Sequence, residues 1–272
     1  MFEAAEAAHG ALALAVEPHS ETWAQGRQAQ AVRALFTFER SQLERADRLL
    51  QESLDVMPSA QAWAWRAFLR QTQILERIAA DDDTARAEAE DYAHQALSFP
   101  GRNATVLALV SQLSAMISMD EQASFATAEE SVALNPLSPY GQYALAAANL
   151  RAGRIDDARH HGQIAADTAS NAHNGFFFQS ISPLIALKSG DIDGCIRAYE
   201  SITHRAPHFR PPLRGLIVLS LIKGDHDRTA RFAAMLAKVE TGFSLDRLLR
   251  DDRYPGLTLR SLGMLKAAAE RI

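Results

Sequence analysis

Few side chains in this sequence stand at spacings that do chemistry. His160-His161 is an adjacent pair, but neighbouring residues of a helix point about 100° apart and do not share one ion. His204 and His208 stand at the four-residue spacing of helical metal ligands, yet Pro207 between them breaks the helix that would align them. Asp81-Asp-Asp83 and Asp251-Asp252 offer carboxylates to a cation. The simpler reading of the first is an acidic loop whose last member caps a helix beginning near Thr84, and Asp251-Asp252 has the same status. The chain has one cysteine, Cys195, which excludes an internal disulfide and a cysteine-based zinc site. It occupies a position reserved for small residues, which predicts a buried, inert thiol. Gly153, Gly190 and Gly224 each lie outside a Gly-x-Gly pattern and build no phosphate loop. No nucleophile with its base and no shielded carboxylate pair can be assembled. The sequence therefore predicts no catalytic residue, no metal and no cofactor.

The elements that carry these residues are legible in a repeat. Gly153-Arg-Ile-Asp-Asp-Ala158, Gly190-Asp-Ile-Asp-Gly-Cys195 and Gly224-Asp-His-Asp-Arg-Thr229 are alike, with glycines 37 and 34 residues apart. That period belongs to stacked helical hairpins. In each, the glycine closes a first helix in the left-handed cap conformation and the Asp separated from it by two residues opens the second as its N-cap. Prolines supply an independent ruler. Met57-Pro58, Phe99-Pro100, Asn135-Pro136 and Ala206-Pro207 each follow a run of helical residues that a proline ends. Small residues, Ala46, Ala158, Cys195 and Thr229, stand where paired helices approach closely, and Leu50 and Tyr199, four residues on, fill the space between hairpins. Nothing alternates with the period of a strand.

Bulk properties agree. The 272 residues, 47% of them hydrophobic, suffice for a continuous core, and no Pro, Gly or Ser linker divides them. A net charge of −5 without a cluster of Lys or Arg excludes a nucleic-acid footprint. The longest apolar run, Leu213 to Leu221, is too short to span a bilayer, and the acidic start Met1-Phe-Glu-Ala-Ala-Glu is no secretory signal. A cytoplasmic protein is the expectation.

The small residue, the turn glycine, the alanine of the second helix and the closing proline resemble the tetratricopeptide repeat family. The resemblance implies an all-α, right-handed solenoid of about six hairpins, at about 27–58, 60–100, 101–136, 138–171, 175–207 and 210–240. The second carries an insertion around Asp81-Asp-Asp-Thr84, and the first three lack the turn glycine. One continuous domain over 1–272 follows, with 243–272 as a C-terminal cap. Ala11-Leu-Ala-Leu-Ala-Val-Glu-Pro18 reads as the second helix of a hairpin whose first is absent, so 1–18 is expected to be an orphan or capping helix. The order of Ala96-Leu-Ser-Phe-Pro100, Leu134-Asn-Pro-Leu-Ser-Pro139, the paired Gly-x-x-Asp turns and Gly242-Phe-Ser-Leu-Asp-Arg-Leu248 is similar to the C-terminal repeat region of bacterial winged-helix transcriptional regulators and class III adenylate cyclases. The resemblance implies a chain descended from a longer regulator, or read from a shortened frame, without its effector domain.

In that family the first helices line a concave face where partner proteins or peptides lie. Carried over by helical phase, the outward residues are Tyr140, Tyr143 and Arg151 in the fourth hairpin, Phe177 and Lys188 in the fifth and Arg214 in the sixth. Rings beside Arg and Lys are the composition of a recognition surface, and a carboxylate-bearing peptide suits Arg151, Lys188 and Arg214. Of Phe176-Phe-Phe178, three consecutive rings, at least one is expected in the core and at least one outside. Trp63, Trp65 and Phe68 read as packing of the long second hairpin. The expected function is a non-enzymatic protein-interaction scaffold in bacterial signalling or regulation, or else a module that senses a small metabolite or peptide.

Overall fold

The computed structural model describes residues 19–272, so the helix expected over 1–18 lies outside the described residues. Every regular element among them is helical. Six hairpins run in order. They are α1 (Glu21–Leu35) with α2 (Arg40–Val56), α3 (Ala60–Leu75) with α4 (Asp82–Ser98), and α5 (Ala104–Leu113), prolonged by a π turn (Ser114–Ser118), with α6 (Glu121–Leu134). Then come α7 (Pro139–Arg151) with α8 (Ile155–Thr168), α9 (Gly175–Gln179) and α10 (Ile181–Lys188) with α11 (Ile192–Arg205), and α12 (Arg210–Ile222) with α13 (His226–Val239). Three short helices follow: α14 (Leu245–Arg250), α15 (Leu257–Ser261) and α16 (Met264–Ala269). The first helix of the fifth hairpin is in two pieces because Pro183 offers no N–H and so is tolerated only in the first turn of a helix.

The turns show why the hairpins repeat. Gly153, Gly190 and Gly224 have φ of 75, 81 and 72°, the left-handed region open to glycine. Each is followed by an N–H that reaches back five residues, Arg154 to Asn149, Asp191 to Ala186 and Asp225 to Ser220, all at 2.9 Å. This is the Schellman closure, repeated three times. The capping Asp is not the expected one: Asp191 and Asp225, directly after the glycine, accept from the N–H of Gly194 and Arg228 at 2.8 and 3.0 Å and so cap the second helices; Arg154, at the same place in the fourth hairpin, makes no side-chain cap. In the acidic run the cap is the first member, not the expected last: Asp81 accepts from Thr84 N–H at 2.7 Å, which holds its carboxyl below the usual range. Asp82 and Asp83 then sit in the first turn, where the helix dipole favours them.

The first three hairpins also turn through one left-handed residue, without the glycine and with a different closure: in the second and third the N–H of Ala79 and of Asp120 reaches back six residues, to the carbonyls of Gln73 and Ser114 at 3.0 and 2.9 Å. Phe38, Arg77 and Met119 hold φ of 58, 56 and 56° at the equivalent places. The conformation thus recurs six times, and three times a side-chain-bearing residue takes it. The prolines mark the other ends: α2, α4, α6 and α11 stop at Val56, Ser98, Leu134 and Arg205, two residues before Pro58, Pro100, Pro136 and Pro207.

The described residues divide into two compact units. The first holds α1 to α9, apart from Leu75–Ile78, and the second holds Leu75–Ile78 and Ser180 onward. In the first, helices pack on their hairpin partner and on the next hairpin, as α5 does on α6 and α7. In the second, Cys195, Tyr199, Leu216, Ile217 and Leu236 form the core, which Leu248, Tyr254, Leu265 and Ala268 of the terminal segment extend.

Candidate functional site

The third and fourth hairpins meet at a cleft of about 190 Å3 lined by Glu121, Gln122, Ser124, Phe125, Ala148, Arg151, Ala152 and Arg154. Local sequence places each wall. Asp120 accepts from Ala123 N–H at 2.9 Å and starts α6, so Glu121, Gln122, Ser124 and Phe125 lie in its first two turns. Arg151 is the last residue of α7. The left-handed Gly153 then turns the chain so that Arg154 points back, its Nε donating to Asn149 Oδ1 at 2.6 Å. The guanidinium of Arg154 lies 4.4 Å from the centre of the Phe125 ring, a cation–π stack.

Arg151 is the chemically unusual member. Its Nη2 donates to the thioether Sδ of Met116, 2.7 Å away, a weak acceptor supplied by the π turn. Its Nη1 is buried and makes no hydrogen bond among the described residues. No described carboxylate pairs with it within 4.0 Å; Glu121 acts on it only through longer-range attraction, and burial pulls the guanidinium pKa down. A half-buried cation with a donor aimed at nothing leaves the cleft with a direction and a charge preference.

The other expected contact residues are elsewhere. Tyr140 is 1% exposed and its hydroxyl accepts from Asn174 Nδ2 at 2.9 Å. Phe177 is buried too, 5.2 Å from Phe36 and 4.8 Å from Tyr143 between ring centres, and Tyr143 is half-buried against it. Phe36, Trp65, Phe68, Tyr140, Phe177 and Phe178 form one cluster of tilted and edge-to-face rings that joins the first, second, fourth and fifth hairpins. The expectation that Tyr140 and Phe177 face outward is corrected: ring area of this size is worth more covered than wet. Phe176, Phe177 and Phe178 are all buried, so none of the three is the expected exposed ring. Trp65 and Phe68 are core, and Trp63 stacks on Tyr92 at 5.3 Å.

In the second unit Lys188 ends α10 half-buried. Arg214, expected at the surface, is 3% exposed. Its Nε and Nη2 donate to Glu240 Oε2 at 3.1 and 2.7 Å, and its Nη1 to the carbonyl of Leu75 at 2.6 Å. The Tyr254 hydroxyl donates to the other oxygen of Glu240. One turn earlier, Arg210 donates from its backbone N–H and Nη1 to Glu76 at 3.1 and 3.3 Å and from Nε to the carbonyl of Val239 at 2.9 Å. Burial pushes the Glu76 carboxyl up, opposed by the guanidiniums of Arg214 and Arg210. Two buried cations and two buried carboxylates satisfy one another, so Arg214 is a structural tie and not a contact for a partner. Cys195 is fully buried, with its thiol pushed up to about 12 by burial and by Asp191. No group of three metal-capable side chains gathers among the described residues, and no helix among them is long and apolar enough to cross a membrane.

The cleft residues Glu121, Phe125 and Arg154, and Met116 that holds Arg151, escaped the sequence reading, because they come from the turns and a second helix and not from the first-helix face.

The solved structure of PilW, a widely conserved type IV pilus biogenesis factor, is similar over 79% of this chain and 92% of its own, at 13% identity and a TM-score of 0.50. That likeness shows the fold, an all-α array of helical hairpins. Pseudomonas aeruginosa PilF is similar over 80% of this chain and 93% of its own, at 19% identity and a TM-score of 0.46. A tetratricopeptide repeat protein from Parabacteroides merdae is similar over 90% of both chains, at 14% identity and a TM-score of 0.46. No protein-family model and no curated protein matches the chain.

Proposed function

We propose that this chain is a non-enzymatic protein-binding scaffold of the tetratricopeptide kind, cytoplasmic and engaged in bacterial signalling or regulation. The observation that carries the reading is the series of six hairpins whose turns each hold a left-handed residue, since such arrays bury themselves by stacking and present recognition groups on what remains. The side chains buried deepest are spent on packing: the rings of the first unit and the ion pairs of the second. Of the residues expected to meet a partner, Tyr143 and Arg151 in the first unit and Lys188 in the second keep partial exposure and remain the proposed contacts. The regulatory setting rests on the resemblance to repeat regions of bacterial regulators. Affinity capture with the full chain as bait, followed by calorimetry on the purified pair, tests it. A partner that binds the wild type in fixed stoichiometry and is lost with Tyr143→Ala, Arg151→Gln supports the scaffold; a chain that forms no stoichiometric complex refutes it.

A second reading, a sensor of a small metabolite or peptide, draws on the small, half-open cleft beside Arg151, whose volume of about 190 Å3 suits only a compact ligand.

A further inference from the structure

We infer that the cleft between the start of α6 and the end of α7 is a binding site for a single carboxylate carried on a compact apolar group. The inference rests on the scaffold reading for its biological ligand, but its chemistry stands on the cleft itself. Three features specify that ligand. The buried Nη1 of Arg151 lacks an acceptor, while Nη2 has only a thioether, so neither arm of one guanidinium edge is committed to an oxygen, and a ligand oxygen that displaced Met116 would be a better acceptor than sulfur. A planar carboxylate matches that fork with two parallel hydrogen bonds. The charge of the walls limits the valence: of the two arginines, Arg154 already faces Asp157 at 4.0 Å, which leaves Arg151 as the cation for a ligand, and this suits a monoanion and disfavours the second charge of a phosphate. The remaining lining is the Phe125 ring with Ala148 and Ala152, which accommodates a short aliphatic body, and the polar Gln122 and Ser124 beside them.

The irregular backbone at this point fits the same reading. The cleft is bordered by the π turn Ser114–Ser118, which ends on the left-handed Met119, φ 56° and ψ 28°. Single π turns inside helices cost stability and gather at functional sites. Here the turn is what brings Met116 to Arg151.

The experiment titrates the full chain with four probes: N-acetyl-leucine, its amide, and a five-residue peptide ending in leucine as free acid and as amide. Calorimetry is read together with the 15N resonances of the arginine guanidiniums, which report on Arg151 in the wild type without any substitution. Both free acids, or one, should bind and move the Arg151 resonances, with the matching amide weaker by about tenfold or more, the worth of a hydrogen-bonded charge pair. Arg151→Gln should lose the difference between acid and amide, and Arg151→Lys should recover only part of it, since an ammonium keeps the charge without the fork. A peptide acid that binds tighter than N-acetyl-leucine identifies a chain end as the source; equal affinity identifies a metabolite-sized acid. Equal binding of acid and amide, unchanged Arg151 resonances, or no saturation by either acid would overturn the assignment. If that happens while a captured partner still binds, the cleft assignment fails and the scaffold reading stands. A chain that binds the acids but captures no partner upholds the cleft and removes the scaffold.

Discussion

Six left-handed turn residues, three glycine and three not, make a reciprocal prediction about stability. At Gly153, Gly190 and Gly224 an added Cβ meets nothing within 4 Å, so an alanine there is opposed by backbone conformation alone. An L-residue in that region costs about 1–2 kcal/mol. Against this, removing glycine lowers the entropy of the unfolded chain, worth about 0.5–1 kcal/mol. Gly190→Ala is therefore expected to destabilise by about 0.5–1 kcal/mol, and the triple Gly153→Ala, Gly190→Ala, Gly224→Ala, whose sites share no partners, by about 1.5–3 kcal/mol. Met119 presents the same balance with the sign reversed. It is 54% exposed, so little burial is lost when its side chain goes, and Met119→Gly should stabilise by up to about 1 kcal/mol. Gly215→Ala is the contrast: the new methyl would run into the Tyr199 ring, an overpacking cost of about 1–3 kcal/mol that the preference for alanine over glycine inside a helix, about 0.5–1 kcal/mol, only partly offsets. Urea unfolding followed by far-ultraviolet circular dichroism reads all of these as midpoint shifts at constant slope. A neutral Gly190→Ala, or a Met119→Gly that lowers the midpoint, would show that the turns are not the equivalent elements argued above.

The buried ion pairs of the second unit predict strong coupling. Glu240→Leu leaves Arg214 buried without its counter-charge and should cost about 3–5 kcal/mol, whereas the double change Arg214→Met, Glu240→Leu should be less harmful than Glu240→Leu alone. A double-mutant cycle in urea checks this, and strictly additive effects would refute it. Cys195 predicts a masked thiol. Its folded pKa, pushed up to about 12, lies above the unfolded value, so the folded chain keeps a proton that the unfolded chain releases; stability is full below the unfolded thiol pKa and declines as pH rises through it toward 12. At pH 8 a disulfide reagent should label the native thiol only as fast as the fold opens, and prompt stoichiometric labelling would contradict its burial.

The hairpins were legible because their signals are local. A glycine at a left-handed turn and a proline two residues past a helix are read from neighbours in sequence, and they marked the turns of the last three hairpins and the ends of the helices that stop at Val56, Ser98, Leu134 and Arg205. The turn residues of the first three hairpins were not legible, since nothing about Phe38, Arg77 or Met119 as residue types announces a positive φ. The inner face was misread for a different reason. Helical phase says which side of α7 or α12 Tyr140 and Arg214 occupy, but not what arrives opposite. For Tyr140 that is Trp65 and Phe178, and for Arg214 it is Glu240 and a carbonyl 139 residues earlier. A solitary acid in a short apolar stretch interrupted otherwise only by Arg77, as at Ile74-Leu-Glu-Arg-Ile78, was the available sign of a buried partner for an arginine.

The position of the candidate site follows from how this array uses its side chains. A stacked hairpin has two surfaces able to recognise a ligand, the first-helix face and the hairpin ends. In the first unit the first-helix face is taken by rings, and Tyr140 within it is held by Asn174, so recognition through that face would require opening a packed core. The hairpin ends carry no such cost. There the π turn, the left-handed Met119 and the Schellman closure at Gly153 place backbone irregularity on both sides of one cleft. The same irregularity sets Arg151 against sulfur instead of oxygen, which leaves its guanidinium partly unsatisfied. Sites where local geometry departs from the repeat, and where a polar group is left wanting, are where a self-consistent fold yields stability to function.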